Sequence, residues 1–574
     1  MNSLYHRHRN RIGIITISLV VLFTILSGQL IYIQIFMHKE YAELAESIIM
    51  REKKITGSRG LIFDRNGAPL TMNLSQHTLW VDTDENIDRK KISEFLSFKF
   101  NKPIHNYSNK LKNNSRYLVL EKNILDPQIS GITKILKELH IHVDSQVKRY
   151  YPYSELAAQV IGFTNTDGLG SIGIEREFNS LLSGGHATQE FVKNSSGQLN
   201  SDIYKDEIKI SDGLDITLCL DINYQSILQD ELYQACQATN AKGANGLIIN
   251  PYTGEILAMA TFPSFDPNNY SIYSPDTYNN GVISLEYEPG STFKIVTISA
   301  GLELKSISPW QTYDCENGKY RIFNRTFHDH EEYEILTVSE ILMHSSNIGM
   351  VKIASDIGSE YIFQYSRRFG FGEPTGIQLP YENGGIIRNY KDWTLSSGPT
   401  IAIGQELAVT TLQTAMSYCV ISNGGYLIKP SIIKSIEGNE RTSEYQFTPQ
   451  PVRRVISNET AKTILMMLRG VILEGTADKA KLPGFHIAGK TSTAQKYTEK
   501  GYSKSEFISA FAGIYPFENP ELVCVVAVDS PSYGHHWGNE TAAPVVRKVI
   551  ERIIGFSDTD YLRELESAPI RENK

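Results

Sequence analysis

Apolar and polar positions follow three different rhythms along the chain. Residues 12 to 37, "IGIITISLVVLFTILSGQLIYIQIFM", carry no charged side chain. That run is long enough to cross a hydrocarbon core of about 30 Å as a single helix. The following stretch, "AELAESIIMREKKITGSRGLIFDRNGAPLTMN", reads as a continuing helix that breaks at Gly57-Ser58. Asn66-Gly67 then marks a tight turn between short extended segments and opens a β-rich region. From about residue 85 to 215 the pattern is irregular, with lysine-rich amphipathic stretches and turns such as "NTDGLGSIGIERE". Past "DGLDITLCLDINY" the rhythm sharpens into an alternating strand, a helix, and two buried strands joined by "NPYTGE". Further on, "AGKTSTAQ", "FISAFAGIYPF" and "LVCVVAVDS" predict three more strands, and "APVVRKVIERIIGF" predicts a closing helix.

These rhythms divide the chain into a short N-terminus (1–11), a membrane span (12–37), a first folded domain (38–219), a second (220–557) and a polar tail (558–574). A total of 574 residues exceeds what one compact core holds, and 41% apolar with 21% charged residues belongs to folded chains. The net charge of -8 has no Lys/Arg block in the body to set against it, which excludes a nucleic-acid surface. Cys219, Cys236, Cys315, Cys419 and Cys524 are scattered without a C-x-x-C pair, so small core residues are expected and a disulfide framework is not.

The apolar run is too long for the core of a cleaved signal, and no A-x-A-like site closes it, which predicts an uncleaved anchor. Arg7, Arg9 and Arg11 precede it, while Lys39 mixes with Glu40, Glu43 and Glu46 beyond it. The positive-inside rule then leaves the N-terminus in the cytoplasm and everything after about residue 38 outside.

"EPGSTFK" (288–294) sets Ser291 at the head of the apolar periodic run "IVTISAGLEL", with Lys294 three positions on. Pro289-Gly290 reads as the turn and Ser291 as the helix start, so the hydroxyl and the amine share a face. An amine whose pKa is lowered by burial or a second cation can take the proton of a neighbouring hydroxyl and make it a nucleophile. The bland alternative is a serine cap beside an exposed lysine. Order and spacing decide between them. "HSSNIGM" brings Ser345 and Asn347 about fifty residues on, and "HIAGKTSTAQ" brings Lys490, Thr491 and Thr493 on a predicted strand. S-x-x-K, S-x-N and K-T-small-T in that order form the motif set of serine acyl-transfer enzymes acting on penicillin-like or D-alanyl substrates.

Over nearly its whole length the chain resembles the class B penicillin-binding proteins, the peptidoglycan D,D-transpeptidases. "RGLIFDRNGAPL" (59–70) and "IGFTNTDGLGSIGIEREFNSLLSG" (161–184) are similar to the two pedestal boxes of that family. "NPYTGEILAMATFPSFDPNNY" resembles the lead-in to its catalytic domain, with Asn250 where aspartate is usual. "GIQLPYENGG" (376–385) and "AIGQELAVTTLQ" (402–413) resemble its later boxes.

The resemblance implies an α+β fold: one N-terminal transmembrane helix, a β-rich pedestal of the dimerisation type, and a transpeptidase domain with a five-stranded antiparallel sheet flanked by helices. It implies that Ser291 attacks the penultimate D-alanine carbonyl of a stem pentapeptide and that Lys294 takes its proton. Ser345 passes a proton toward the leaving D-alanine, Asn347 holds substrate or Lys294, and Lys490 with Thr491 and Thr493 binds the terminal carboxylate. The backbone N–H groups of Ser291 and Thr493 are the implied oxyanion donors. No cofactor is implied.

β-Lactams and a SEDS-type lipid-linked glycan polymerase are the implied partners, at the bacterial cytoplasmic membrane. The "GFTN" box and the length are closer to division-type members than to lateral-wall ones. A D,D-carboxypeptidase or β-lactamase would differ only in what resolves the acyl-enzyme, and a β-lactam sensor or inactive scaffold would acylate without turnover. One departure stands out: the family usually has glycine at Ser492, beside the bound substrate's backbone, so this side chain is expected to restrict substrate approach.

Other residues read more blandly. His344 beside Ser345 is expected to pack rather than to relay protons. The "FHDHEEYE" group, His328 to Glu332, is expected to hold no metal, because adjacent loop residues rarely converge on one ion. "YGHHWGNE" (533–540) reads as a solvated loop at the site's rim, and Tyr287 and Trp393 as packing residues.

Overall fold

The most apolar runs pair with one another. The computed structural model describes residues 2–113, 115–193, 199–200, 210–323, 325–438, 443–498 and 501–567. Five strands, β1 (Gly243–Ile249), β2 (Ile256–Phe262), β3 (Ala488–Thr498), β4 (Gly501–Tyr515) and β5 (Leu522–Asp529), form one sheet in the order β2-β1-β5-β4-β3. Every pairing in it is antiparallel. The central β5 is buried from Val523 to Val528 without alternation, because helices cover both of its faces. α1 (Ile222–Thr239) and α6 (Ala542–Ser567) pack together on the sheet. A second helical group, formed by α2 (Lys294–Glu303), α3 (Asn347–Ile357), α4 (Thr411–Ser422) and α5 (Asn458–Leu473), packs through α4 and α5 on it as well. α2 is buried continuously from Lys294 to Gly301, as a helix apolar on every side must be. α6 runs to Ser567, past position 557 where the sequence predicts a polar tail; no proline or glycine interrupts residues 557–567.

Residues 59–183 and 213–574 form one compact unit, which therefore includes pedestal segments as well as the five-stranded sheet. In its pedestal part, the strand Met72–Asp82 lies between Tyr117–Leu125 and His142–Tyr150. Leu79, Val81, Ile92, Leu96, Leu118 and Leu120 belong to a separate small core there. Part of the irregular pattern read from sequence has a local cause in Tyr117–Leu125: against Met72–Asp82 its register shifts between Ile124 and Glu121 and again between Glu121 and Val119, and each shift breaks the period of two. The two pedestal boxes meet at a buried carboxylate. Glu175 receives Arg59 Nη2 at 2.6 Å and Arg149 Nε at 2.7 Å, and the Tyr151 hydroxyl donates to it at 3.3 Å. Ile62–Phe63 of the first box pairs in parallel with Asp215–Leu218, which pairs in turn with Ile433–Glu437 of the second half of the chain.

Residues 1–58 and 184–212 form the other compact unit. Its helix Asn2–Ile31 continues through a π turn, Tyr32–Phe36, into His38–Ile49. Arg9–Phe36, with mean hydropathy 2.3, is the one helix among the described residues long and apolar enough to cross a membrane. The helix expected to reach Gly57 ends earlier. Met50–Thr56 is a strand paired antiparallel with His186–Lys193, a partner more than a hundred residues away that local pattern cannot announce. All five cysteines are buried free thiols.

Candidate active site

A short 3₁₀ turn, Gly290–Phe293, carries Ser291, and α2 begins at Lys294 rather than at the serine. The turn is held from several sides. Gly290 sits at φ +53°, donates to the Gly404 carbonyl at 2.9 Å, and has no space for a Cβ, which would meet Ser492 Oγ at 2.5 Å. Its preceding carbonyl, that of Pro289, accepts Thr292 Oγ1 at 2.7 Å. The bland alternative of an exposed lysine is excluded: Lys294 has 0% exposure.

Lys294 Nζ lies 2.7 Å from the Ser345 carbonyl, 2.9 Å from Asn347 Oδ1, 3.2 Å from Ser345 Oγ and 3.3 Å from the Ser346 carbonyl. Burial lowers its pKa to about 7, against a smaller raising effect from the charge of Asp329. Ser345 Oγ donates to Ser291 Oγ at 2.9 Å, so this hydroxyl stands between the Ser291 hydroxyl and the amine. Ser345 holds φ +60°, an unfavourable conformation for a serine that aims its side chain into the cluster. Asn347 is the first residue of α3. Asp329 anchors this end: its carboxylate accepts Ser346 Oγ at 2.6 Å and the N–H groups of Asn347 and Ile348 at 2.5 and 3.0 Å.

Strand β3 forms the opposite wall. Its alternation puts Lys490 and Ser492 on one face and Thr491 and Thr493 on the other. Lys490 is 0% exposed, and burial followed by the charge of Lys294 holds its pKa well below the usual lysine range. Its Nζ donates to Thr476 Oγ1 at 3.4 Å and to the Thr491 carbonyl at 3.3 Å, while Thr476 and Thr491 share a hydroxyl contact at 3.1 Å. Thr493 Oγ1 accepts the Gly538 N–H at 2.9 Å. The structure thus gathers Ser291, Lys294, Ser345 and Asn347 into one hydrogen-bonded cluster, with Lys490 close enough to couple electrostatically to Lys294.

Comparisons with known proteins identify the family. The family profile described as penicillin binding protein transpeptidase domain matches residues 246–551, and that of the penicillin-binding protein dimerisation domain matches residues 54–218. This chain is a class B penicillin-binding protein. It is 32% identical over 549 residues, 95% of each chain, to the probable peptidoglycan D,D-transpeptidase PbpC of Pseudomonas aeruginosa. To the peptidoglycan D,D-transpeptidase FtsI of Escherichia coli K12 it is 29% identical, over 92% of this chain and 89% of the relative. Penicillin-binding protein 3 of Mycobacterium tuberculosis, solved with aztreonam, superposes with a TM-score of 0.69 at 26% identity, covering 88% of this chain and 97% of that one.

Where the resemblance led this penicillin-binding protein's Ser492 to be expected against substrate, the side chain faces the Pro289–Gly290 turn. It is 4% exposed and its Oγ donates to the Pro289 carbonyl at 2.7 Å, beneath the turn that carries Ser291. The 533–540 loop is also not simply solvated. His536 is 6% exposed and stacks on Phe507 and Tyr533, while a Cβ at Gly538 would fall 2.4 Å from the Ser492 carbonyl. Trp537 in that loop meets the His330 ring at 4.6 Å, from the other wall.

Among the other "FHDHEEYE" residues, Glu331 accepts the Tyr333 hydroxyl at 2.9 Å. His344 packs on the Tyr333 ring at 5.3 Å. The Tyr287 hydroxyl meets Thr414 Oγ1 at 3.3 Å, and Trp393 Nε1 donates to the Arg388 carbonyl at 2.9 Å.

Sequence reasoning missed Thr476 and Gly538 beside β3 and gave Asp329 no role beyond its place in a group expected to hold no metal. Asp329 had a readable signal in an acid placed ahead of the S-x-N helix; Thr476, alone on a loop after α5, had none.

Proposed function

We propose that this protein is a serine D,D-transpeptidase that cross-links peptidoglycan stem peptides. The single observation that carries the reading is the buried Lys294 beside the Ser345–Ser291 hydroxyl pair, an amine that is substantially neutral at physiological pH. With Lys294 deprotonated, the hydrogen bonds reverse. Ser291 donates to Ser345 and Ser345 to Nζ, so the proton leaves Ser291 Oγ as the oxygen attacks the penultimate D-alanine carbonyl. The N–H groups of Ser291 and Thr493 receive the oxyanion. Collapse breaks the peptide bond, and the departing D-alanine nitrogen takes the proton back through Ser345. An amine of a second stem peptide then attacks the ester, gives up its proton to the same relay, and frees Ser291. Thr491 and Thr493 on one face of β3, with the buried Lys490 on the other, bind the terminal carboxylate, and Asn347 holds Lys294 and the substrate amide.

The relatives named peptidoglycan D,D-transpeptidase support this substrate class, and the division-type FtsI among them supports a role in septal wall synthesis. The Arg9–Phe36 helix, with arginines at its start, supports a single-pass anchor that leaves the catalytic unit outside the cytoplasmic membrane, within reach of a membrane-embedded glycan polymerase. Added protease should digest the catalytic unit on intact spheroplasts; full protection overturns that orientation. The reading itself is tested by S291A, which should abolish covalent labelling by a fluorescent penicillin with an unchanged melting temperature. Labelling at the wild-type rate would assign the nucleophile elsewhere.

A further inference from the structure

Ser492 joins the two halves of the site. Its buried hydroxyl reaches from β3 to the Pro289 carbonyl at 2.7 Å, and that carbonyl lies two residues before Ser291, while Ser492 itself lies one residue before Thr493. The two N–H groups to which the proposed reaction assigns the oxyanion therefore flank this bond on either side. Between Pro289 and Ser291 stands only Gly290, a residue without a side chain to brace it, held at φ +53° between the Gly404 carbonyl and Ser492 Oγ. The Pro289 carbonyl is thereby saturated, taking Thr292 Oγ1 on one lone pair and Ser492 Oγ on the other. A glycine at position 492, the residue the family usually carries, offers no such link and leaves that second lone pair of a buried carbonyl unpartnered.

We propose that Ser492 is a positioning residue that fixes the separation of the Ser291 and Thr493 N–H groups, so that both donors meet the oxyanion together. The proposal rests on the transpeptidase reading and deepens it. Its mechanism is preorganisation: donors already in place need no rearrangement as charge develops on the carbonyl oxygen. Binding of the substrate carboxylate to Lys490 and Thr491 is a separate matter and should not depend on the link.

The experiment compares wild type, S492A and S492G in acylation by a depsipeptide ester ending in D-lactate and by its thiono analogue, whose sulfur is a poor acceptor for oxyanion donors. Saturating acylation rate and apparent dissociation constant are measured for each, with melting temperature as the fold control. In S492A the ester's saturating rate should fall about threefold to tenfold, the worth of one buried hydrogen bond, with the dissociation constant unchanged. The thiono substrate should slow less, so the oxo-to-thiono rate ratio should drop. S492G carries the residue usual in the family and serves should S492A fold poorly. An unchanged ratio overturns the proposal, whether the rates stay at the wild-type value or fall alike. Labelling lost in S291A but kept in wild type leaves the catalytic reading standing in that event.

Discussion

In the pedestal, Glu175 is fully buried and is met by Arg59 and Arg149 at 2.6 and 2.7 Å; at the catalytic site, Lys294 and Lys490 are equally buried and have no carboxylate at ion-pair distance among the described residues. The Glu175 charge is matched within the fold by two guanidiniums, and the cluster locks two sequence boxes together. The site's cations are met by carbonyls, amides and hydroxyls, with water removed by burial and no counter-ion at ion-pair distance among the described residues to replace it. Burial holds the pKa of both below the usual lysine range, and Lys294, at about 7, gives up its proton within the physiological range. Buried charge in this molecule marks structure where it is matched and chemistry where it is not.

The sharpest way to break that comparison is to remove one charge from each cluster. K294M deletes the base but keeps a flexible side chain of similar volume, so acylation should fall by about 10²–10⁴-fold while the melting temperature changes little. E175A deletes the shared partner of two buried guanidiniums and should cost about 3–5 kcal/mol of stability, while acylation per folded molecule stays at the wild-type value. Denaturant titration and burst acylation on the two purified variants give the crossed result. If K294M unfolds as readily as E175A, the lysine is as much a structural ion as the glutamate, and the comparison fails.

The same comparison explains what the sequence made legible. Strands of the catalytic sheet were readable because continuous apolar runs such as Val523–Val528 announce burial on both faces. Ser291, Lys294, Ser345 and Asn347 were readable because three short motifs keep their order. The matched pedestal cluster was not, since Arg59, Arg149 and Glu175 come from separate segments and no local pattern distinguishes them from surface charges. Thr476 escaped for the same reason, and Met50–Thr56 was misread because its strand partner, His186–Lys193, lies in a distant segment. The direction of Ser492 needed the third dimension too: alternation alone assigns it to Lys490's face, but only the fold brings Pro289 beneath it.

The smallest effect concerns the one carboxylate that acts on Lys294 without pairing to it. Asp329 raises the lysine's pKa through its charge while burial lowers it to about 7, so the acid limb of the acylation profile should have its midpoint near that pH, with rate rising as the amine loses its proton. D329N keeps an oxygen for the N–H groups of Asn347 and Ile348 and removes the charge. With less negative potential nearby, the neutral amine is favoured further, and the limb should move to lower pH by less than about one unit. The sign follows for stability as well. A lysine of depressed pKa binds fewer protons folded than unfolded between about 7 and its ordinary 10.5, so its burial is least costly at the alkaline end of that window and most costly below it. Acylation rates of wild type, D329N and E175Q measured across the pH range on either side of the lysine's value check the limb, and denaturant titration of wild type on the alkaline side of that value checks the stability. E175Q should leave the midpoint where it is, because Glu175 acts on its own arginines; a shift to higher pH in D329N would reverse the assigned sign and remove Asp329 from the electrostatics of the site.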